Sequence, residues 1–261
     1  MLKRLEAVRY VTPLREGGSL PAIVETDEAS CYVAKFRGAG QGAGALIAEV
    51  IAGEIARTLG LPVPEIALIG LAAGFGRTEP DPEIRELLAA SEGTNLGLAF
   101  LPASVTFDPV AEPTVEAELA SDIVWFDALV TNVDRTARNT NLLVSGGRLY
   151  LIDHGSTLYF HHSWAGYEAR IRTPFPAIRT HVLLPAASRL EESDARLVPL
   201  LDEAAVRRIV GLVPDEWLAT PPAPFADEAS HREAYVGYLL ERLRGPRDFV
   251  VEAIDARADL V

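Results

Sequence analysis

The stretch that decides the fold is "VTNVDRTARNTNLLV", residues 130–144. It places Asp134 and Asn139 five positions apart, in a polar loop between a helical pattern and an apolar run. Kinases place their catalytic aspartate and a metal-binding amide at this spacing. The stretch therefore predicts Asp134 as a catalytic base and Asn139 as a ligand of magnesium and nucleotide. An aspartate five residues before an asparagine is common in loops, so the prediction depends on the flanking sequence.

The sequence after this loop has the pattern of a hairpin that ends in an acidic residue. Residues 142–153, "LLVSGGRLYLID", contain two short apolar runs joined by a serine and two glycines, which is typical of two paired strands. Asp153 ends the second run, so the hairpin would return its carboxylate to the loop that carries Asn139. Magnesium prefers oxygen ligands, and these two side chains supply them. We therefore predict that Asp153 is the second magnesium ligand and also contacts the nucleotide.

One of the only two lysines of the chain lies inside an apolar run, "CYVAKF", residues 31–36. Burying the ammonium group of Lys35 in such a strand is costly unless it meets a carboxylate and an anion. The helical segment that follows offers Glu49 and Glu54. Helical spacing places Glu49 at the border of the apolar face, whereas Glu54 lies near an arginine on the other side. We predict that Lys35 binds the phosphates of ATP and that Glu49 is its partner.

A glycine-containing turn near the start of the chain is a further candidate. Residues 15–19, "REGGS", separate two strand patterns. Backbone amides of Gly17, Gly18 and Ser19 could face phosphate and cover the nucleotide. The same residues fit a plain hairpin turn equally well, so both interpretations stand at this point.

The N-terminal part of the chain is rich in strand patterns. Glycine-rich residues 37–45 form a link, a helix is predicted over residues 46–59, and the polar segment 76–93 is interpreted as a loop. The predicted strands cover residues 7–14, 21–26, 31–36, 65–71 and 93–101.

The pattern changes to helices from residue 114 onward. A helix is predicted up to residue 130, and after the hairpin further helices are predicted at residues 188–200, 202–212, 227–244 and 247–257. The fold class is therefore α+β, a two-lobed protein-kinase-like fold. We predict a single kinase-like domain over residues 1–261, with a β-rich N-lobe at 1–101, a mostly helical C-lobe at 102–261 and a hinge near 99–102.

Composition limits the partners and the location. The chain has 261 residues and a net charge of −13, which opposes direct binding to nucleic acid or to an anionic membrane. No apolar run is long enough to cross a bilayer, and the N-terminus lacks the apolar core of a signal peptide. Its single cysteine excludes an intrachain disulfide. We expect a cytoplasmic protein.

Other chemistries fit the sequence less well. The histidines lack the spacing of a zinc site, and the serines lack the framework of an acyl-transfer enzyme. Two rivals remain open. A small-molecule kinase acting on an antibiotic or a sugar would use the same aspartate and asparagine spacing, and a catalytically idle ATP-binding module would share the fold.

Four segments, "YVAKF", "AEVIAGEIARTLGLPVPE", "NVDRTARNTNLLV" and "LYLIDHG", together resemble the HipA-like kinases, a bacterial branch of the phosphoinositide-kinase-like fold. The resemblance covers about residues 10–190. It implies that Lys35 is the ATP lysine with Glu49 as its partner, that Asp134 is the catalytic aspartate, and that Asn139 and Asp153 hold magnesium.

The resemblance is to the shorter stand-alone branch of the family, because the chain starts almost at the first kinase strand. It implies ATP and Mg²⁺ as cofactors and transfer to a serine or threonine hydroxyl of a protein. The acceptor, protein or small molecule, is not identified by the sequence. The resemblance also leaves room for a regulatory partner protein.

Overall fold

The computed structural model describes residues 1–14, 20–40, 42–111, 115–219 and 224–260. Its N-terminal part is rich in strands and its C-terminal part is mainly helical. This arrangement confirms the predicted fold class.

The five N-terminal strands form a closed barrel with the order β1-β2-β3-β5-β4. All neighbours are antiparallel except β1 and β4, which run parallel and close the barrel through the pairing of Lys3 with Ala67. The strand patterns predict the strands but not this closure, because pairing between distant strands leaves no local signal. The strands are β1 Lys3–Pro13, β2 Ala22–Thr26, β3 Cys31–Lys35, β4 Ile66–Leu71 and β5 Gly93–Ala99.

Helix α1, Gly42–Thr58, follows β3 and begins four residues earlier than the sequence predicts. Its apolar residues recur on nearly all sides, and most of them are buried. On one side it packs against the outer face of β4 and β5, and on the other against helices of the C-terminal part, all within one hydrophobic core. The interior of the barrel has a separate core. Helix α1 is therefore shared between the two parts of the molecule.

The interpretation of residues 76–93 as a loop is wrong, because they contain helix α2, Pro82–Ala90. Asp81 caps this helix by accepting a hydrogen bond from the backbone of Glu83, and proline occupies its first position. Ile84 and Leu88 pack into the barrel core. The segment is rich in polar residues. The spacing of four positions between the apolar residues Ile84 and Leu88 therefore does not stand out in the sequence as the buried face of a helix.

The remaining elements form the helical body, residues 105–258. A three-stranded sheet with the order β6-β7-β8 carries the predicted hairpin, and five short 3₁₀ helices lie within residues 159–200. No helix in the ranges described above is both long and apolar enough to cross a membrane. The elements are β6 Val105–Thr106, α3 Ala117–Leu129, β7 Leu142–Ser145, β8 Arg148–Leu151, α4 Leu190–Leu197, α5 Glu203–Val210, α6 Asp215–Leu218, α7 Glu228–Arg244 and α8 Asp248–Ala258.

Candidate functional site

Three of the residues singled out by the sequence meet between the barrel and the helical body. The ammonium group of Lys35, at the end of β3, donates hydrogen bonds to Glu49 Oε1 and to Asp153 Oδ1, the latter at 2.7 Å. Glu49 lies on the second turn of α1 and is buried, whereas the side chain of Asp153 is 49% exposed. Glu54 pairs with Arg57 instead. We call Lys35, Glu49 and Asp153 the cleft cluster.

The cleft cluster holds two carboxylates against one ammonium group. Burial lowers the pKa of Lys35, but Glu49 and Asp153 together raise it above its ordinary value. Burial raises the pKa of Glu49, and the attraction of Lys35 does not cancel this rise. Burial also raises the pKa of Asp153, but Lys35 more than compensates, so that the pKa lies below its ordinary value. The charge of Lys35 therefore favours the ionised form of both carboxylates, and it outweighs the effect of burial at Asp153.

A cleft opens next to this cluster. The start of α1 lines one side, the end of β3 another, and the segment after β8 a third. One carboxylate oxygen of Glu49, Oε2, is buried there without a hydrogen-bond partner among the described residues. The cleft is lined by Lys35, Phe36, Ala39, Gly42, Ala45, Leu46, Glu49, Asp153 and Gly155.

The second pair predicted by the sequence lies in the loop between α3 and β7. The side-chain amide of Asn139 donates to Asp134 Oδ2 at 2.9 Å, and the amide of Asn141 approaches the same oxygen at 3.4 Å. The backbone N–H of Asp134 donates to Asn132 Oδ1 at 3.0 Å. Asp134 is half-buried and Asn139 is exposed. No described residue donates a hydrogen bond to the side-chain oxygen of Asn139, Oδ1, which leaves that oxygen available to a cation.

The loop and the cleft cluster are linked through backbone groups and the Arg135 side chain rather than by a direct contact. The N–H of Ile152, which precedes Asp153, donates to the carbonyl of Asn141 at 3.1 Å. The Arg135 guanidinium donates to the same carbonyl and, at 3.5 Å, to that of Ile152. In the part of the chain that the structure describes, no hydrogen bond or ion pair joins Asp134 or Asn139 directly to the cleft cluster.

Backbone strain is concentrated in this region. Seven described residues other than glycine have a left-handed φ, and four of them lie between positions 131 and 158. Asp153 has φ 56° and Asn141 has φ 47°, a conformation that aspartate and asparagine tolerate better than most residues. Thr131 is β-branched and has φ 55°, which is strained. Strain of this kind clusters at functional sites.

A buried group that the sequence analysis missed lies beneath the loop. Asp127, on α3, accepts hydrogen bonds from Arg135 Nε at 2.6 Å, from His181 Nε2 at 2.8 Å and from the amide of Asn132 at 2.8 Å. All of these side chains are buried. We call Asp127, Arg135 and His181 the buried cluster. The signal for it was present, because Asp127 is a lone charge within the apolar run "IVWFDALV".

The protonation states within the buried cluster follow from its contacts. Burial raises the pKa of Asp127, but the charge of Arg135 and the hydrogen bond from His181 together hold it well below its ordinary value. The Nδ1 atom of His181 accepts the N–H of Leu183 at 3.0 Å, so its Nε2 carries the proton that is donated to Asp127. Burial lowers the pKa of His181, which is therefore neutral at pH 7.

His154, the residue after Asp153, is fully buried against the same arginine. Its Nδ1 atom lies 3.4 Å from the Arg135 guanidinium, and its ring meets Phe126 edge to face. Burial, followed by the charge of Arg135, lowers the pKa of His154 to about 3. This imidazole is neutral and packs between the loop and α1.

The donor atoms present fit magnesium bound together with a nucleotide. Within the described ranges, no group of three or more histidine, cysteine, aspartate or glutamate residues could hold a metal. Asp153 and Asn139 offer one carboxylate and one amide oxygen. Magnesium is commonly bound through one or two carboxylates plus phosphate oxygens and water, and this small donor set suits that arrangement. The predicted residues Gly17, Gly18 and Ser19 lie outside the described residues.

Comparisons with known proteins relate the chain to kinases. A family model described as HipA-like kinase matches residues 8–247. No curated protein matches the chain. The crystal structure of the Helicobacter pylori proinflammatory kinase CtkA is 15% identical, with a TM-score of 0.56 over 92% of this chain and 94% of that chain. That likeness shows the fold.

A second similar structure is less alike. The crystal structure of the Golgi casein kinase with Mn/ADP bound is 12% identical, with a TM-score of 0.45 over 98% of this chain and 74% of that chain.

Proposed function

Because the chain belongs to the HipA-like kinase family, we propose that it uses ATP and Mg²⁺ to phosphorylate a serine or threonine hydroxyl of a protein. The observation that carries the proposal is the convergence of Lys35, Glu49 and Asp153 at one cleft. These residues come from positions 35, 49 and 153, and each belongs to a type that phosphoryl transfer requires.

The cleft cluster suits an exchange of partners when a nucleotide binds. Lys35 would stay paired with buried Glu49, and the donor that it now gives to Asp153 would turn toward the phosphates. Asp153 would then be free to bind the metal, and its exposed side chain can do so without breaking into the core. Bound Mg²⁺ supplies positive charge that stabilises the phosphates in such sites. The two carboxylates favour the arrival of a cation.

Asp134 is proposed as the base that orients and deprotonates the acceptor hydroxyl. Its Oδ2 atom is held by the amide of Asn139, so the carboxylate has a defined orientation. Its Oδ1 atom accepts no hydrogen bond from any described residue and remains for the acceptor. A positioned base of this kind accelerates transfer by about two to four orders of magnitude.

The surroundings of Asp134 favour a protein as the acceptor. Its neighbour Val133 is 40% exposed, and Ala137, Arg138 and Asn139 are also exposed. A small-molecule kinase needs walls that enclose its acceptor around the base. An exposed loop instead leaves room for the surface of a large partner.

The test is to incubate the purified protein with labelled ATP, Mg²⁺ and a lysate of its own cells. We expect label on serine or threonine of one or a few proteins. Asp134→Asn should reduce labelling by about 10²- to 10⁴-fold, while a fluorescent ADP analogue still binds. Asp153→Ala should abolish magnesium-dependent nucleotide binding, because the metal loses its only carboxylate ligand.

The outcome of this experiment distinguishes the proposal from the two alternatives, a small-molecule kinase and a catalytically idle ATP-binding module. Label on a metabolite instead of a protein would favour the small-molecule kinase. Nucleotide binding without any transfer would favour the idle module. If both variants transferred phosphate like the parent, the assigned roles would be wrong.

A further inference from the structure

Helix α6, one turn long, joins the helical body to the barrel by side-chain contacts. These contacts lie far from residues 100–104, where the chain itself passes from the barrel into the helical body. The indole N–H of Trp217 donates to the carbonyl oxygen of Thr94 at 3.1 Å. Next to it, the Arg37 guanidinium donates to Glu216 Oε2 at 3.3 Å. Trp217 is 2% exposed, whereas the ion pair is partly exposed. We call these four residues the α6 latch.

Both latch contacts reach the same position of the barrel. In the pairing of β3 with β5, Lys35 lies opposite Leu96. Continuing this register by two residues places Arg37 opposite Thr94, and the side chain of Asn95 accepts the N–H of Arg37 at 2.9 Å. The α6 latch therefore binds the strand pair two residues beyond Lys35.

The connection between barrel and body lies at the other end of the same strand pair. Strand β5 ends at Ala99, opposite Tyr32, and residues 100–104 lead into the helical body. At about 3.3 Å per residue, the five steps from Thr94 to Ala99 span roughly 17 Å. The strand pair that carries Lys35 is therefore attached to the helical body at both ends.

We infer that the α6 latch positions Lys35 over Asp153 and limits the exchange of nucleotide. Without the α6 latch, the Thr94 end of the strand pair would be held to the helical body through its packing on helix α1, and it could shift away from Asp153 and widen the cleft. With both ends attached, opening requires the contacts of Trp217 and Arg37 to break first. Trp217 and Glu216 act through Arg37 and β5, so they are positioning residues. The inference rests on the proposed function, since the cleft is taken as the nucleotide site.

The indole contact can be removed with a matched control. Trp217→Phe keeps an aromatic ring but loses the N–H donor to the barrel. We expect this variant to release a fluorescent ADP analogue roughly three- to tenfold faster, as the loss of one hydrogen bond implies. Trp125→Phe also removes an indole hydrogen bond from a buried tryptophan, here to the Asp194 carboxylate at 2.8 Å, entirely within the helical body. The control should lose stability without changing the release rate.

The ion pair allows a test by charge reversal. Arg37→Glu and Glu216→Arg should each speed release by about two- to threefold, as expected for a partly exposed pair. The double variant R37E/E216R restores opposite charges and should return to the parent rate. If the ion pair had only a structural role, the variants would change the unfolding midpoint. Their release rates would then not rise in the single variants and return to the parent rate in the double variant.

Hydrogen exchange gives a readout that needs no nucleotide. Amides of residues 93–98 should exchange faster in Trp217→Phe than in the parent and in Trp125→Phe, because the attached end of β5 becomes free to open. Equal exchange and equal release in Trp217→Phe and its control would overturn the latch. If the parent binds no nucleotide, the proposed function fails, while the exchange data still decide whether the latch restrains the barrel.

Discussion

The cleft cluster and the buried cluster both pair carboxylates with cations, yet they are built differently. The cleft cluster joins the barrel, helix α1 and the segment after β8, and the side chain of Asp153 is 49% exposed. The buried cluster lies wholly within the helical body, and the side chains of Asp127, Arg135 and His181 are at most 2% exposed. One cluster faces a cleft and the other faces the core.

The two clusters also differ in how completely their charged groups are paired and hydrogen-bonded. In the cleft cluster, one ammonium group serves two carboxylates, and Glu49 Oε2 is left without a partner among the described residues. In the buried cluster, Asp127 receives donors on both of its oxygens. A fully satisfied buried network fixes one arrangement, whereas an incomplete one can change partners. We therefore interpret the buried cluster as the scaffold of the loop and the cleft cluster as the part that responds to ligands.

The largest effect is expected from breaking the buried cluster. Asp127→Asn leaves the Arg135 guanidinium buried without a counter-charge, which should lower the free energy of unfolding by about 3–5 kcal/mol. Asp259→Asn is the control, because Asp259 pairs with Arg179 and the two side chains are 67% and 50% exposed. The control should lose about 1 kcal/mol or less. Urea unfolding measures both, and equal losses would contradict the distinction between the clusters.

A pH profile tests the residue between the two clusters. The pKa of His154 is about 3 in the folded chain against an ordinary value of 6.5 for an exposed imidazole, so only the unfolded chain takes up this proton between those values. Stability should therefore fall as pH drops below about 6.5, by up to about 1.4 kcal/mol per pH unit for each such imidazole. His161, whose pKa is also about 3, contributes in the same direction.

His154→Phe should remove its share of this slope and leave that of His161. The measurement is the free energy of unfolding at pH 4, 5 and 6 for parent and variant. An unchanged slope would mean that burial of His154 does not disfavour its protonated form.

The smallest effect is expected from a comparison of Glu49 and Glu54, two glutamates of helix α1. Glu49→Gln replaces a charged partner of Lys35 with a neutral one, and we expect turnover to fall by about tenfold, the difference between a charge-assisted and a neutral hydrogen bond. Glu54→Gln alters only the pair with Arg57 and should leave turnover within about twofold of the parent, as expected for a surface pair. Initial rates with labelled ATP measure both, and similar losses would show that the contact of Glu49 with Lys35 has no special role.

Local patterns in the sequence predicted most of the elements. Strand patterns and turn residues located all five barrel strands, and the helical spacing after Lys35 located α1. Helix α2 was missed, since only Ile84 and Leu88 of its nine residues are buried and the rest of the segment looks like a polar loop. The closure of β1 on β4 and the contact of α6 with the barrel join residues far apart in the chain, and such contacts leave no local pattern.

The candidate site likewise contains residues that local sequence patterns predict and contacts between distant residues that they do not. Lys35, Asp134, Asn139 and Asp153 could be named from spacing because their chemistry needs fixed residue types in short segments. Asp127 and His181 could not be paired from the sequence, because their contact spans 54 positions and exists only once α3 is packed. The roles of these residues in catalysis stay predictions until the variants are measured.

The parallel pairing of Lys3 with Ala67 has a consequence for how the chain acquires its structure. The barrel cannot close until the polypeptide has brought together two segments 64 positions apart, and such distant pairing slows folding because the intervening loop must first be ordered. On a ribosome, β1 emerges well before β4. During that interval β1 can form its hairpin with β2 while its other edge stays unpaired.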